Sequence, residues 1–135
     1  MARLGILMVA CLVAGFALAL SAVAKPALRD HAEITDGLVA VGIAIEIADN
    51  CSELSARKLK GVVYLQSLKN AAREDGYSAA EIDAFIKSRT EKDRLEARAR
   101  AYLAKNGAQG PAGDAYCSVG RAEIAADSQA GRLLR

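Results

Sequence analysis

The first 24 residues constrain this chain most, because they decide how much of it folds and in which compartment. An unbroken apolar run extends from Leu4 to Leu20, after a start whose only charge is Arg3. Ala22 and Ala24 then place small residues where a signal peptidase cleaves. This is the layout of a secretory signal peptide, so residues 1–24 are predicted to be removed after Ala24.

Two alternatives stay open for this segment. Residues 4–24 approach the roughly 20 apolar residues that span a bilayer, so an uncleaved N-terminal helix would anchor the protein in the membrane. Cys11 would be the lipidated residue of a lipoprotein, although the apolar run continues well past it. We expect an exported, periplasmic protein, with a membrane-anchored protein as the alternative.

The size and charge of the remaining chain limit its function. Cleavage after Ala24 leaves residues 25–135, which is enough for one small domain. The formal net charge of +2 falls to +1 when Arg3 is removed. Nucleic-acid binding usually needs a clear basic excess, so this near-balance argues against nucleic acid as a partner.

The first segment of the mature chain, Glu33–Asn50, is compatible with a strand or a helix. Its β-branched residues alternate with small ones, as they do in a strand. Thr35 or Asp36 could cap a helix, Asn50 could end it, and the length is normal for a helix. We favour a central, buried helix because its apolar residues cover nearly the whole circumference.

The rest of the chain shows helical spacing between turn residues. A second helix is predicted over Ser52–Glu74, with Leu59 and Val63 contacting another element on its far side. Ser78 and Glu81 form a capping box, with Tyr77 and Ile82 as the apolar residues around it. The third helix is short, and its predicted buried face is formed by Ile82, Phe85 and Ile86. A fourth helix is predicted to start at Thr90. The last helix has Asp114 as its predicted cap, and its inner face is formed by Cys117, Gly120 and Ile124. These elements predict an all-α fold, a small bundle of about five helices.

Several stretches resemble a known family. They are IADNC at residues 47–51, GYSAAEIDAFIKS at 76–88, EKDRLEARARAYL at 91–103 and YCSVGRAEIAADSQAGRLL at 116–134. The chain resembles, from about Ile34 to Leu134, a domain-of-unknown-function family of small exported bacterial proteins. The resemblance supports export and paired cysteines, and it implies no activity.

Cys51 and Cys117 are the two cysteines of the mature chain. An even number of cysteines in an oxidising compartment favours one disulfide bond. A redox role is weaker because Cys-x-x-Cys is absent from the sequence. A zinc site is weaker still, since two thiols and one distant histidine do not complete a tetrahedral shell. We therefore predict a structural disulfide, no metal and no cofactor.

Two titratable residues deserve separate consideration. Glu46 lies in an apolar run, where burial would raise the pKa of its carboxyl group unless a cation pairs with it. It is a weak catalytic candidate, and Arg57 or Arg121 would be plausible ion-pair partners. His31 is the only histidine, and we expect it in a solvated terminal segment, although it could bind a metal with Asp30 and Glu33.

The function suggested by these features is a non-enzymatic binding or accessory protein of the bacterial cell envelope, with an unknown protein as its partner. One alternative is a small helical chaperone or inhibitor, which an exposed apolar patch would favour. Another is a small enzyme that uses Glu46. A basic helix face could also meet anionic lipid or an acidic partner; it comprises Arg57, Lys58, Lys60, Lys69 and Arg73.

Overall fold

The structure, a computed structural model, describes residues 24–135. The predicted signal peptide, including Cys11, lies outside these residues except for Ala24. A short 3-10 helix, Leu28–Asp30, comes first. Six α-helices follow: α1 Ala32–Asn50, α2 Lys58–Glu74, α3 Ala79–Lys87, α4 Arg89–Lys105, α5 Asp114–Ala125 and α6 Gln129–Arg132. Residues 24–135 contain no β-strand beyond an isolated Ala56–Leu134 bridge, so the all-α prediction is confirmed.

The first long segment is a helix, as predicted, and it lies at the centre of the fold. α1 packs against α2, α4, α5 and α6, with its longest contact against α4. Ile47 is fully buried, and Ile43 and Ala44 nearly so. His31 caps the helix in place of the expected Thr35 or Asp36, because its Nδ1 accepts the amide hydrogen of Ile34.

Two apolar clusters form the core on different sides of α1. The larger joins Val39, Ile43 and Ile47 to residues of α4, α5 and the C-terminal segment. The smaller joins Ile34 to α2, α3 and the 3-10 helix, and includes the buried Tyr77 and Ile82. Because α1 contributes to both clusters, it links the two parts of the core.

A disulfide bond joins Cys51 to Cys117, as predicted. Cys51 is the C-cap residue of α1, and Cys117 lies in the first turns of α5. Both residues are buried, and their Cα atoms are 5.0 Å apart. The bond closes a loop of 66 residues in sequence, which on chain-entropy grounds destabilises the unfolded state by about 4 kcal/mol.

The second helix begins at Lys58, six residues later than predicted. The backbone of Ser55 exchanges two hydrogen bonds with Arg135, and the Arg57 amide donates to the Leu133 carbonyl. This pairing with the C-terminal segment holds residues 52–57 in a non-helical path. Helical spacing within residues 52–74 did not reveal this pairing, because the C-terminal segment is far away in sequence.

The helix ends and the last helix also differ in detail from the sequence interpretation. The capping box of Ser78 and Glu81 is present. However, Ser88, two residues before Thr90, caps α4, and Gly113 rather than Asp114 occupies the N-cap position of α5. The C-terminal residues form a further short helix, α6, which brings the total in residues 24–135 to six.

Four apolar side chains predicted to be packed are exposed to solvent. The exposed fraction is 79% for Leu59 and 63% for Val63, so the expected second contact of α2 is wrong. Ile86 and Ile124 are exposed as well, whereas their neighbours Ile82 and Cys117 are buried as expected. Three of the four lie at or next to a single groove, described below.

The glycines differ in what surrounds them. A Cβ atom at Gly131 of α6 would collide with the backbone carbonyl of Glu123 in α5, which cannot move aside as a flexible side chain can. A Cβ atom at Gly61 of α2 would meet nothing within 4 Å. Gly131 therefore permits the close approach of α5 and α6, and Gly61 has no such role.

We expect these two glycines to respond oppositely to alanine. Gly131→Ala should lower the free energy of unfolding by roughly 2 kcal/mol, because overpacking against fixed backbone is costly. Gly61→Ala should raise it by up to about 1 kcal/mol through helix propensity. Urea denaturation followed by circular dichroism measures both, and equal effects would contradict this account of the α5–α6 contact.

Candidate functional site

An apolar groove runs along one side of α1. Its floor is formed by Ile34, Leu38, Val41, Gly42 and Ile45, which recur at helical spacing. α2 forms one wall and α4 the other. The groove exists because both helices flank α1 while extensive contact between them is missing in residues 24–135.

The groove is open to solvent and mainly apolar, with Gln66 and four charged residues among those that line it. It encloses about 490 Å³. Val62 and Leu65 project from the α2 wall and Leu95 from the α4 wall, while Phe85 and Ile86 of α3 close one end. Ile45, Val62 and Ile86 are exposed by 49%, 63% and 62%, which is unusual for aliphatic residues lining one depression.

The apolar surface continues from the groove onto the outer side of α2. Leu59 and Val63 lie beside Val62 on consecutive turns of the helix, and all three are largely exposed. Contiguous exposed apolar surface of this kind is rare on monomeric proteins and usually marks an interaction site. The groove and the outer strip of α2 together are here called the apolar face.

The two walls of the groove carry different charge. On the α4 wall, Glu91 pairs with Arg29 and Arg94 at 3.1 and 2.8 Å, so this acid is neutralised within the protein. Glu96 likewise pairs with Lys92 and Arg100, both at 3.7 Å.

The α2 wall has no acidic residue before Glu74 at its end. Lys58, Lys69 and Arg73 lie along its groove side at spacings of one to three turns. Only Lys69 of these three is in an ion pair within residues 24–135, with Asp83 at 3.8 Å.

The five cations proposed as a basic helix face divide between two places. Lys69 lines the groove, and Arg73 lies one turn further along the same side of α2. Arg57, Lys58 and Lys60 line a separate cleft near Arg135, at the start of α2. The cations therefore border the apolar surface of α2 rather than forming a continuous basic face.

Glu46 does not lie in the groove. Its carboxylate pairs with the guanidinium of Arg100 on α4 at 3.2 Å, and its side chain is 27% exposed. The partner is thus Arg100 and not Arg57 or Arg121; Arg121 pairs instead with Glu53 at 2.6 Å. The ion pair accounts for Glu46 as a link between α1 and α4.

His31 is not in a solvated terminus, and that expectation was wrong. Its Nε2 lies 2.8 Å from a carboxylate oxygen of Asp75, and its ring packs edge-on against Tyr77 with centroids 5.9 Å apart. Together with its capping bond to Ile34, these contacts tie the start of α1 to the α2–α3 connection. Among residues 24–135, no group of three metal-ligating side chains is close enough to hold an ion.

A buried carboxylate that the sequence interpretation missed lies at the other end of the fold. Glu123 is 8% exposed and accepts hydrogen bonds from the hydroxyls of Tyr102, at 2.5 Å, and of Ser128. Ser128 in turn caps α6 through the Gly131 amide. Glu123 therefore organises the α4–α5–α6 corner, and its spacing in sequence from Tyr102 and Ser128 carries no recognisable motif.

The same network affects the acidity of Tyr102. The hydrogen bond to Glu123, partial burial and the charge of that carboxylate raise the pKa of the Tyr102 phenol above its usual value. Each of these favours the neutral phenol over the phenolate.

Within the part of the chain that the structure describes, no helix combines the length and apolar character that crossing a bilayer requires. The fold and site define a small all-helical, disulfide-linked protein with an apolar groove. Residues 26–135 match a family described as a family of unknown function (DUF5333), and the chain belongs to that family. No curated protein and no solved structure matches the chain.

We expect the Tyr102–Glu123 hydrogen bond to be visible by titration. The difference in ultraviolet absorbance between the protein and its Tyr102→Phe variant should give a phenol pKa above 10.0. The corresponding stabilisation is present below pH 10 and is lost as the pH rises through the raised pKa. Glu123→Gln should lower that pKa towards its usual value; an unchanged titration would show that the bond is absent.

Proposed function

We propose that this protein is a non-enzymatic, exported binding protein of the cell envelope, and that it binds an apolar segment of another protein in the groove along α1. The observation that carries the proposal is the apolar face, where large aliphatic side chains remain exposed around a concave surface. Folded monomers normally bury such surface, and binding grooves are among the places where it persists.

The shape of the groove supports a binding function over catalysis. Most of its exposed lining is apolar, and its charged residues are held in ion pairs on the walls. Acid–base chemistry needs polar groups that converge on a substrate. Tyr102, whose phenol pKa is raised, and the buried Glu123 lie at a different corner of the fold and support α6. The weak catalytic candidate Glu46 has an ion-pair partner and lies outside the groove.

The exposed apolar patch also favours the chaperone or inhibitor alternative. Leu59 and Val63 extend the apolar surface beyond the groove, so a partner larger than one helix would have further surface to contact. A chaperone would bind many unfolded chains through this face, whereas an accessory protein would bind one partner.

Contacts at the start of the described chain are compatible with cleavage after Ala24. Lys25 is the first residue after that position, and its ammonium group contacts the Gly76 carbonyl at 2.7 Å and Glu81 at 2.9 Å. It also lies 4.6 Å from the centre of the Tyr77 ring. These contacts all belong to Lys25 and would therefore be retained after removal of residues 1–24.

Binding in the groove is testable with Nile red, a neutral apolar dye. We expect saturable binding that weakens about tenfold in Ile45→Asn, because one lost aliphatic contact is worth roughly 1.5 kcal/mol. Fluorescence titration measures the affinity, and thermal melts confirm that the variant is folded.

The matched control for this experiment is Ile124→Asn. Ile124 has similar exposure, 40% against 49% for Ile45, but lies outside the groove. Its substitution should leave dye binding unchanged. Equal loss in both variants, or no saturable binding by the unmodified protein, would contradict the groove as a binding site.

Export and the disulfide are checked together by intact mass spectrometry of protein recovered from the periplasm. The mass should lack residues 1–24 and be two hydrogens lower than that of the reduced chain. A full-length protein in the membrane fraction would favour the anchored alternative. Two free thiols in periplasmic protein would contradict a stable Cys51–Cys117 bond.

A further inference from the structure

We infer that the occupant of the groove is an amphipathic α-helix of about three turns, from another protein, whose apolar stripe is bordered by acidic residues on the side that meets α2. This inference rests on the proposed binding function and specifies the partner. It follows from the length of the groove, the helical character of its walls and the distribution of charge around it.

The length of the floor fits a short helix. At about 1.5 Å per helical residue, the distance along α1 from Ile34 to Ile45 is about 16 Å, or about three turns. The floor and both walls are themselves helices, so the ridges that line the groove have the spacing of helical side chains. An amphipathic helix places residues at i, i+3, i+4 and i+7 against such a surface.

The charge at the α2 wall specifies the polar border of this helix. Lys58 and Arg73 lie near the two ends of the wall, and Lys69 lines the groove between them. Across the groove, the acids Glu91 and Glu96 already have cation partners within the protein. Lys92 on the α4 wall also lines the groove, but it pairs with Glu96 at 3.7 Å. Because α2 has no acidic residue before Glu74, acidic residues on a docked helix would find the larger excess of positive charge on the α2 side.

The same charge distribution disfavours two other occupants. Docking α2 of a second copy in the groove would bring its own lysines and arginine against those of the first. The N-terminal run Leu4–Leu20 of this chain contains no charged residue and offers no acid to the α2 wall.

The inference is tested with two synthetic peptides of 14 residues. Both carry the same leucine stripe, and they differ only in having glutamates or lysines along one border. Fluorescence anisotropy with protein purified from its producing cells should show the acidic peptide binding about tenfold more tightly. The preference should shrink as salt rises, because exposed charges are screened.

Two double variants of equal charge change identify the responsible residues. Lys58→Gln with Arg73→Gln should remove most of the preference for the acidic peptide. Lys60→Gln with Lys105→Gln should leave it unchanged, because Lys60 lies on the opposite side of α2 and Lys105 lies at the far end of α4. Ile45→Asn should weaken both peptides equally.

The possible outcomes separate this inference from the proposed function. Equal affinity for the two peptides, tighter binding of the basic one, or failure of both to bind would overturn the inference. If Nile red still binds in the groove in those cases, the proposed function stands. Dimerisation at the assay concentration that Ile45→Asn abolishes, or displacement of the acidic peptide by phosphatidylglycerol vesicles, would also overturn the inference in favour of a second copy or a lipid surface.

Discussion

The packing of α1 against several other helices is the constraint on which the rest of the structure depends. A helix that is apolar around most of its circumference is stable in water only when neighbours cover it. α4 covers one side, α5 and α6 cover another, and α2 covers part of a third. The strip of α1 between α2 and α4 remains uncovered, and this strip is the floor of the groove.

The features predicted correctly were those with local or compositional causes. The apolar circumference indicated a central helix at Glu33–Asn50, and the capping box of Ser78 and Glu81 marked the start of α3. The disulfide followed from the even number of cysteines and the expected compartment. Each depends on residues close in sequence, or on the chemistry of the expected compartment, so three-dimensional information was not needed.

The features that were missed depend on contacts between distant segments. Because Ser55 pairs with Arg135, α2 begins later in the sequence than predicted. The contact of His31 with Asp75 holds in place a segment that was expected to be a loose terminus. The groove was missed for a related reason. Helical spacing shows that Ile45 and Val62 lie on apolar faces, but only the arrangement of the helices shows that no other segment in residues 24–135 covers them.

The charges around the groove offer a physical reason why its apolar surface can remain exposed. Exposed aliphatic groups favour self-association, and like charge at their border opposes it. Lys58 and Arg73 border the apolar face of α2, so two copies of this face would repel each other while a partner with acidic borders would be attracted. The cations to which we assign the specificity of the groove would thus also disfavour pairing of the protein with itself, and the groove would stay accessible.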